Sequence, residues 1–439
     1  MVTQHAQVKR PLKRSVKARL KGVFAFTRSR NSIYHEQHYL ELFLTAMFST
    51  MTVMMNGASR ALNKLAHASN QEPVYRRHRR RRRDGSYESD KDYLEEKYFP
   101  SGKTILHHIK KAFKIDDNGQ LVSNRTKHHV NPLEARIELV LRNAVRRHLI
   151  GGDFSGRIKG VAAAFDLHDQ DYYGLLNEYL VRTYGDGTNR AYRYGSSRLL
   201  GSEPYCLPPL LVLAHSTKVD IIERAARQFT YLNIPLRTLV IDRFFFDADV
   251  INLFDRLGLW YLMPAKIGAL SNTMKKCIRG ASPDHVSTYR YVVRPKDVGR
   301  AHTTIVVVPP KWQHPPTRNP KEGRRRRKPE PMAFVTNIPA PTDQDELDEW
   351  GRELSRLYRL RFGIETDWSL FKSLRPRTTS MNPVVRLFYF YMGVLLYDLW
   401  VFARRIHENL GPLRRVEFII LYLPFSNVAP ITMLRPGDG

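Results

Sequence analysis

Two short apolar runs each stop at a carboxylate. Gly160-Val-Ala-Ala-Ala-Phe165 precedes Asp166, and Arg237-Thr-Leu-Val-Ile241 precedes Asp242. Runs of this length, bounded by polar residues, read as buried strands. Further strands are expected at Tyr192–Leu200, Leu210–His215 and Trp260–Met263. Helical patterns alternate with them. Asp220–Leu232 carries Ile221, Ala225, Phe229 and Leu232 on one face, and Asp249–Leu257 follows. Strands alternating with amphipathic helices constrain this stretch to an α/β core. If the two strands are neighbours, Asp166 and Asp242 approach each other at the edge of that core.

The flanks differ. Residues 268–341 are β-like at Tyr289–Arg294, Thr303–Val308 and Met332–Ile338, and read as a β-rich insertion. Pro309–Pro331 holds seven prolines, too many for a helix or a central strand, so a loop is expected there. Helical pattern resumes with Thr342 as N-cap and Asp345 three residues on, and is expected to run to about Leu374. Asn382 then caps a helix opening on Pro383 and apolar nearly all round, Val384–Leu410. Upstream, Tyr34–His67, Tyr93–Asp116 and Glu134–Leu149 are helical in pattern. The expected organisation is a basic arm over 1–31, poorly ordered unless bound, and a helical N-terminal DNA-binding region over 32–154. The core follows over 155–267, the insertion over 268–341, the core's last helices over 342–410, and a tail over 411–439.

Charge narrows the partners. Seventy-one Lys and Arg against 42 Asp and Glu leave +29, with a pI near 10.1. Such a balance points to a polyanion, with nucleic acid first and an anionic membrane surface second. Two basic runs stand out: Arg76, Arg77, Arg79, Arg80, Arg81, Arg82 and Arg83, and Arg324, Arg325, Arg326, Arg327 and Lys328. They suit salt-dependent contact with a phosphate backbone. The two cysteines, Cys206 and Cys277, exclude a disulfide framework and a Cys-rich zinc module. No signal-peptide core follows the basic N-terminus. Leu387–Ala403, the most apolar stretch, carries Asp398 and falls short of the roughly 20 residues of a span, so a buried helix and no membrane association are expected.

The helix after Thr342 carries the sharpest pattern. Tyr358, Arg361, Glu365 and Lys372 lie at offsets 0, 3, 7 and 14. At about 100° per residue they fall within an arc of roughly 60°. One carboxylate thus sits among two cations and a phenol. Three acids brought together repel, and a divalent cation relieves them. Hard oxygen ligands suit Mg²⁺, and paired ions about 3.5–4 Å apart align attacking and leaving oxygens at phosphorus. A solvated salt-bridge face is the plainer alternative for the helix, and simple strand ends for the aspartates.

Tyr358-x2-Arg361-x3-Glu365-x6-Lys372 matches the Y-R-E-K pattern of DDE-type insertion-sequence transposases. Leu239-Val-Ile-Asp242-Arg243-Phe244-Phe245 resembles that family's second-aspartate segment and Ala164-Phe165-Asp166-Leu167-His168 its first. Thr378-Thr379-Ser380-x-Asn382-x2-Val385-Arg386 is similar to a segment of archaeal ISH-type members. The resemblance covers about residues 155–408. Many relatives have Gly where this chain has Phe244. Asp169, Asp171 and Asp186 are rival first aspartates; only Asp166 directly ends an apolar run.

The resemblance implies an RNase-H-like mixed sheet flanked by helices. It implies Asp166, Asp242 and Glu365 as ligands of two Mg²⁺ ions, with Mn²⁺ able to substitute. Arg361 and Lys372 would face phosphates, with Tyr358 beside them. The implied activity is cleavage at element ends and strand transfer into target DNA. The implied partners are double-stranded DNA, as terminal inverted repeats and target, and a second copy in a DNA-bound homodimer. The implied setting is the prokaryotic cytoplasm, with the nucleoid. The rivals are a non-catalytic or domesticated DNA-binding protein and a metal-dependent nuclease without strand transfer. Other motifs read more plainly. Ser101-Gly-Lys-Thr104 is a helix start, not a P-loop. His107-His108 and His128-His129 are solvated pairs, Cys206 is a structural thiol, and Gly185-Asp-Gly-Thr188 is a turn.

Overall fold

The computed structural model describes residues 14–16, 18–25, 34–48, 59, 62–63, 66, 74–75, 80–81, 87–88, 96–97, 100–123, 132–151, 160–183, 187–201, 203–265, 272–293, 299–310, 331–374, 378 and 380–406. The chain divides into two compact units. The first is Met1–Arg142, Gly174–Leu176 and Ser369–Gly439, and the second is Asn143–Tyr173 with Asn177–Trp368.

In the first unit, α1 (Glu36–Phe48), α2 (Gly102–Ala112), a hairpin of β1 (Phe113–Ile115) and β2 (Leu121–Ser123), and the start of α3 (Pro132–Gly151) precede the C-terminal helix. Ser101 caps α2 by accepting from the Thr104 N–H at 3.2 Å, as expected of a helix start. The hairpin departs from the all-helical expectation for this region. Asn118-Gly119 turns it, with Gly119 at φ +73° and its N–H donating to the Asp116 carbonyl. The basic arm also departs from expectation, since Val16, Leu20, Val23 and Phe24 are fully buried. Their spacing of four, three and one is a helical stripe, which the density of Lys and Arg around it masks. Arg80–Arg81 pair with Tyr87–Glu88 as two-residue strands; the rest of both basic runs lies outside the described residues.

The apolar C-terminal helix, α9 (Pro383–Ile406) in the numbering below, starts where expected. Asn382 Oδ1 accepts from the Val384 and Val385 N–H groups at 2.9 and 3.3 Å. It is long and apolar enough to cross a membrane, but 94% of its most apolar window is buried. Phe388 meets Phe24, Phe43 and Phe113 at ring distances of 5.7–6.2 Å. The helix therefore belongs to the core of the first unit and not, as expected, to the α/β core. A helix apolar on every face packs wherever a surrounding shell exists, and sequence does not say which.

The second unit is α/β, a mixed sheet flanked by helices. Its strands are β3 (Val161–Asp171), β4 (Val181–Arg182), β5 (Arg190–Leu200), β6 (Leu210–Val212), β7 (Leu236–Ile241), β8 (Trp260–Pro264), β9 (Ser287–Val293), β10 (Ala301–Val308) and β11 (Met332–Thr336). They form one sheet in the order β6-β5-β3-β7-β8-β11-β10-β9, with β4 paired to β5. The pairs β3–β7 and β7–β8 are parallel; the others are antiparallel. The central strands are continuous apolar runs, as strands covered on both faces must be: Val161–Phe165 and Leu239–Ile241 are no more than 1% exposed. Helices α4 (Lys218–Tyr231) and α5 (Ala248–Leu257) make the connections β6–β7 and β7–β8. A capping box of Thr217 and Asp220 starts α4.

Three further expectations are corrected here. Asp166 does not end its strand. β3 continues to Asp171 because β5 stays paired with it as far as Asp171↔Ala191; only the buried half ends at Phe165. Residues 268–341 are not a separate insertion. β11 pairs with β8 and carries β10 and β9 into the main sheet, and a helix, α6 (Asn272–Arg279), lies within the stretch. The Pro/Arg loop lies outside the described residues apart from its ends. Finally, the helix expected from Thr342 to Leu374 is two helices, α7 (Gln344–Arg361) and α8 (Gly363–Ser373). The cap of α7 is Asp343, accepting from Glu346 N–H at 3.0 Å, and not Thr342.

In the first unit, burial pushes the Glu134 carboxyl up to about 7, opposed by the hydrogen bond from the Tyr391 hydroxyl at 2.7 Å. A carboxyl raised in the fold is protonated there while the unfolded chain ionises. Stability is therefore highest below pH 4.5, falls as pH rises towards 7 and is flat above it. At 1.36 kcal/mol per unit the loss is up to about 3 kcal/mol. Glu134→Gln should flatten that part of the pH profile of denaturant unfolding.

Candidate active site

Asp166 and Asp242 follow the last register pair of two neighbouring parallel strands, Phe165↔Ile241. They therefore stand side by side where β7 leaves the sheet. Their charges interact, Asp242 adding to the rise of the Asp166 carboxyl. Asp242 opens a 3-10 turn, Arg243–Phe245, without capping it by its side chain. Phe245 turns inward against Phe165, at 5.8 Å between rings. Phe244 stays 46% exposed with Lys218 Nζ 5.0 Å from its ring. Bulk after the Asp-Arg pair is thus accommodated outside the turn.

Arg361 is the centre of the arrangement. Its Nη1 donates to Asp166 Oδ2 at 2.6 Å, and its Nη2 lies 3.7 Å from Glu365 Oε1. The Arg361 side chain is only 6% exposed and that of Asp166 18%, whereas that of Glu365 is 61% exposed. Burial pushes the Asp166 carboxyl up; Arg361 and the Leu167 N–H oppose it. For Arg361, burial acts downward, but Asp166, Tyr358 and Asp242 outweigh it and the guanidinium is held above its usual range. Tyr358 completes the group. Its ring packs on Phe334 at 5.3 Å, and burial raises its phenol, which stays protonated at neutral pH.

Glu365 is set by the joint between α7 and α8. Arg198, from β5, donates to the Leu360 carbonyl at 2.9 Å, capping the end of α7. Its Nε forms an ion pair with Asp367 on α8 at 2.6 Å, with both side chains largely buried. A Cβ at Gly363 would meet the Arg198 guanidinium, so a larger residue there would require Arg198 to move from its contacts with Leu360 and Asp367. Cys206 Sγ lies 3.7 Å from Asp367 Oδ2, which gives that thiol a structural place. Arg198, Asp367 and Gly363 were not among the residues expected at the site. Gly363 alone had a sequence signal, a glycine inside a helical pattern.

The single arc of Tyr358, Arg361, Glu365 and Lys372 is therefore interrupted. Tyr358 and Arg361 end one helix, Glu365 starts the next, and Lys372 lies on α8 outside the described side chains. Of the rival aspartates, Asp169 is taken up by a two-pronged pair with Arg193 at 2.6 and 2.7 Å, Asp171 is exposed at the strand end, and Asp186 lies outside the described residues. As a metal site, Asp166 and Asp242 fit: two hard-oxygen donors on neighbouring parallel strands, just past their last register pair. The third carboxylate does not join them, because Arg361 stands between. Among the described residues no three His, Cys, Asp or Glu side chains gather as metal ligands.

No family model matches the chain, and no curated protein does. Among solved structures it is similar to a piggyBac transposase synaptic complex with hairpin DNA. The TM-score is 0.43 at 10% identity, covering 94% of this chain and 84% of that one. A likeness of this degree leaves the chemistry to be read from the chain's own residues.

Removing one partner of a buried ion pair leaves the other charge uncompensated, at about 3–5 kcal/mol. Arg198→Met should accordingly destabilise the second unit by about that much through Asp367, which is 4% exposed. The double substitution Arg198→Met with Asp367→Leu should recover most of the loss in chemical denaturation.

Proposed function

We propose that the chain is a DNA transposase of the DDE type, cutting at the ends of an insertion sequence and joining them to target DNA. The observation that carries this reading is the placement of Asp166 and Asp242 side by side just past the register pair Phe165↔Ile241, with Arg361 brought to Asp166 from α7. The run β6-β5-β3-β7-β8, antiparallel first and then parallel, supports an RNase-H-like core. The Y-R-E-K spacing supports the insertion-sequence type.

On this reading Asp166, Asp242 and Glu365 would hold two Mg²⁺ ions, or Mn²⁺, which supply Lewis-acid stabilisation of the oxygens at phosphorus. The protein's own groups do the rest. Arg361 and Lys372 bind phosphate oxygens beside the cut. Tyr358, a neutral phenol, orients Arg361. Water opens the phosphodiester, releasing a 3′ hydroxyl, which then attacks a target phosphodiester and displaces its 3′ oxygen. The basic runs Arg76–Arg83 and Arg324–Lys328 follow the backbone of double-stranded DNA, and a homodimer holds two ends. The setting is the prokaryotic nucleoid.

The exposure of Glu365 favours a second reading, a non-catalytic DNA-binding protein of the same fold. Asp242→Asn decides between them. It should retain DNA binding while Mg²⁺-dependent cleavage falls by at least about 100-fold, since an amide is a poor ligand for a hard cation. A wild type that binds end DNA but never cleaves it supports the second reading.

Deleting Arg324–Lys328 removes five cations. With about 0.9 counterions released per neutralised phosphate, the salt slope of binding should fall in magnitude by up to about 4.5. An unchanged slope in a salt titration by fluorescence anisotropy would take that loop off the DNA.

A further inference from the structure

We infer that the Arg361 guanidinium is a resident counter-cation of the acid site, which a divalent ion must displace before Glu365 can join the two aspartates. This rests on the proposed function and adds to it a built-in competition. The guanidinium bridges Asp166 and Glu365, at 2.6 and 3.7 Å, and the charge of Asp242 also acts on it. It occupies the place where a cation shared by these acids would sit. Its own fork of donors is what allows one side chain to reach both carboxylates. The Arg361 side chain is 6% exposed and its guanidinium is backed by the Tyr358 and Phe362 rings, 5.4 and 5.1 Å from its central carbon, so it is packed in place and not merely near.

Two consequences follow from charge. A guanidinium bonded to Asp166 takes up a ligand oxygen and repels a dication from the remainder. Its departure frees that oxygen and removes the repulsion. Glu365, on the first turn of α8 and largely exposed, is free to turn inward once its link to Arg361 is broken. The displaced guanidinium would then face solvent beside the acids, where a DNA phosphate is the natural partner for its paired N–H groups. In that scheme ion entry and phosphate capture by Arg361 are two halves of one exchange.

The test uses the full chain without DNA, titrated with MnCl₂ by calorimetry and followed by thermal melting. Arg361→Gln should bind Mn²⁺ at least tenfold more tightly than wild type, and its melting temperature should rise more at a fixed Mn²⁺ concentration. Adding Asp166→Asn to that variant should abolish the gain, which places the ion at Asp166. Arg361→Lys keeps one charge for Asp166 and serves if the Gln variant does not fold. Its single ammonium cannot bridge both acids, so an intermediate gain is expected. Unchanged or weaker Mn²⁺ affinity in the folded variants, with wild-type binding lost on Asp242→Asn, overturns the counter-cation role and leaves the proposed function standing. Absence of Mn²⁺ binding in wild type and variants alike overturns both.

Discussion

The ion pair between Asp166 and Arg361 ties the sheet to the helices that follow it. Asp166 lies where β3 leaves the buried part of the sheet, and Arg361 is the last residue of α7. Neither charge is tolerable alone at this depth. A buried carboxylate or guanidinium without a partner costs several kcal/mol, so the two are held together by what each would lose. The pair is not strong support for stability, because apolar replacements could do as well. What it provides is registration: it sets which turn of α7 faces the end of the buried half of β3, and with it the placement of Tyr358 and Glu365.

Arg198 does the complementary task on the far side of the joint. An uninterrupted helix from Asp343 to Leu374 would satisfy its own carbonyls. Here the carbonyl at Leu360 is handed to a guanidinium from β5, and Gly363 leaves the room for it. The break frees backbone groups that would otherwise be paired, and the Arg198 contacts with Leu360 and Asp367 offset that cost. Two arginines from opposite directions, Arg198 from the sheet and Arg361 from the helix, thus fix one helix joint. Glu365 sits immediately beyond it, tethered on its backbone and exposed at its carboxylate.

Much of the second unit was legible in the sequence. The runs before Asp166 and Asp242, and the amphipathic helices between strands, depend on local periodicity, and each appears within a few residues of its expected place. The adjacency of the two aspartates was legible only as a condition, since strand order is a matter of long-range pairing. The misreadings have a common cause. The helix break at Phe362, the antiparallel return of β11 to β8 and the burial of Val16, Leu20, Val23 and Phe24 are set by partners distant in sequence. Periodicity cannot see an arginine arriving from β5. Asn118-Gly119 is different: that turn signal was present just beyond a stretch read as helical to Asp116, whose last residues form the first strand of the hairpin.

The site also has a charge that the rest of the chain does not share. Asp166, Asp242 and Glu365 contribute three negative charges and Arg361 one positive, a local balance of −2 within a chain of +29. Basic surface attracts a polyanion from a distance, and that attraction is screened over about 8–10 Å at ordinary salt. At contact range the nearest charges decide, and here they repel a phosphate. On the proposed function, DNA drawn to the chain by its basic runs meets an acidic point at the place of cutting. Positive charge must enter with the phosphate for the two to touch, either as an ion or as a guanidinium released from the acids. On that reading, affinity for DNA and competence to act on it are separable, one spread over the arginine-rich segments and the other confined to Asp166, Asp242, Glu365 and Arg361.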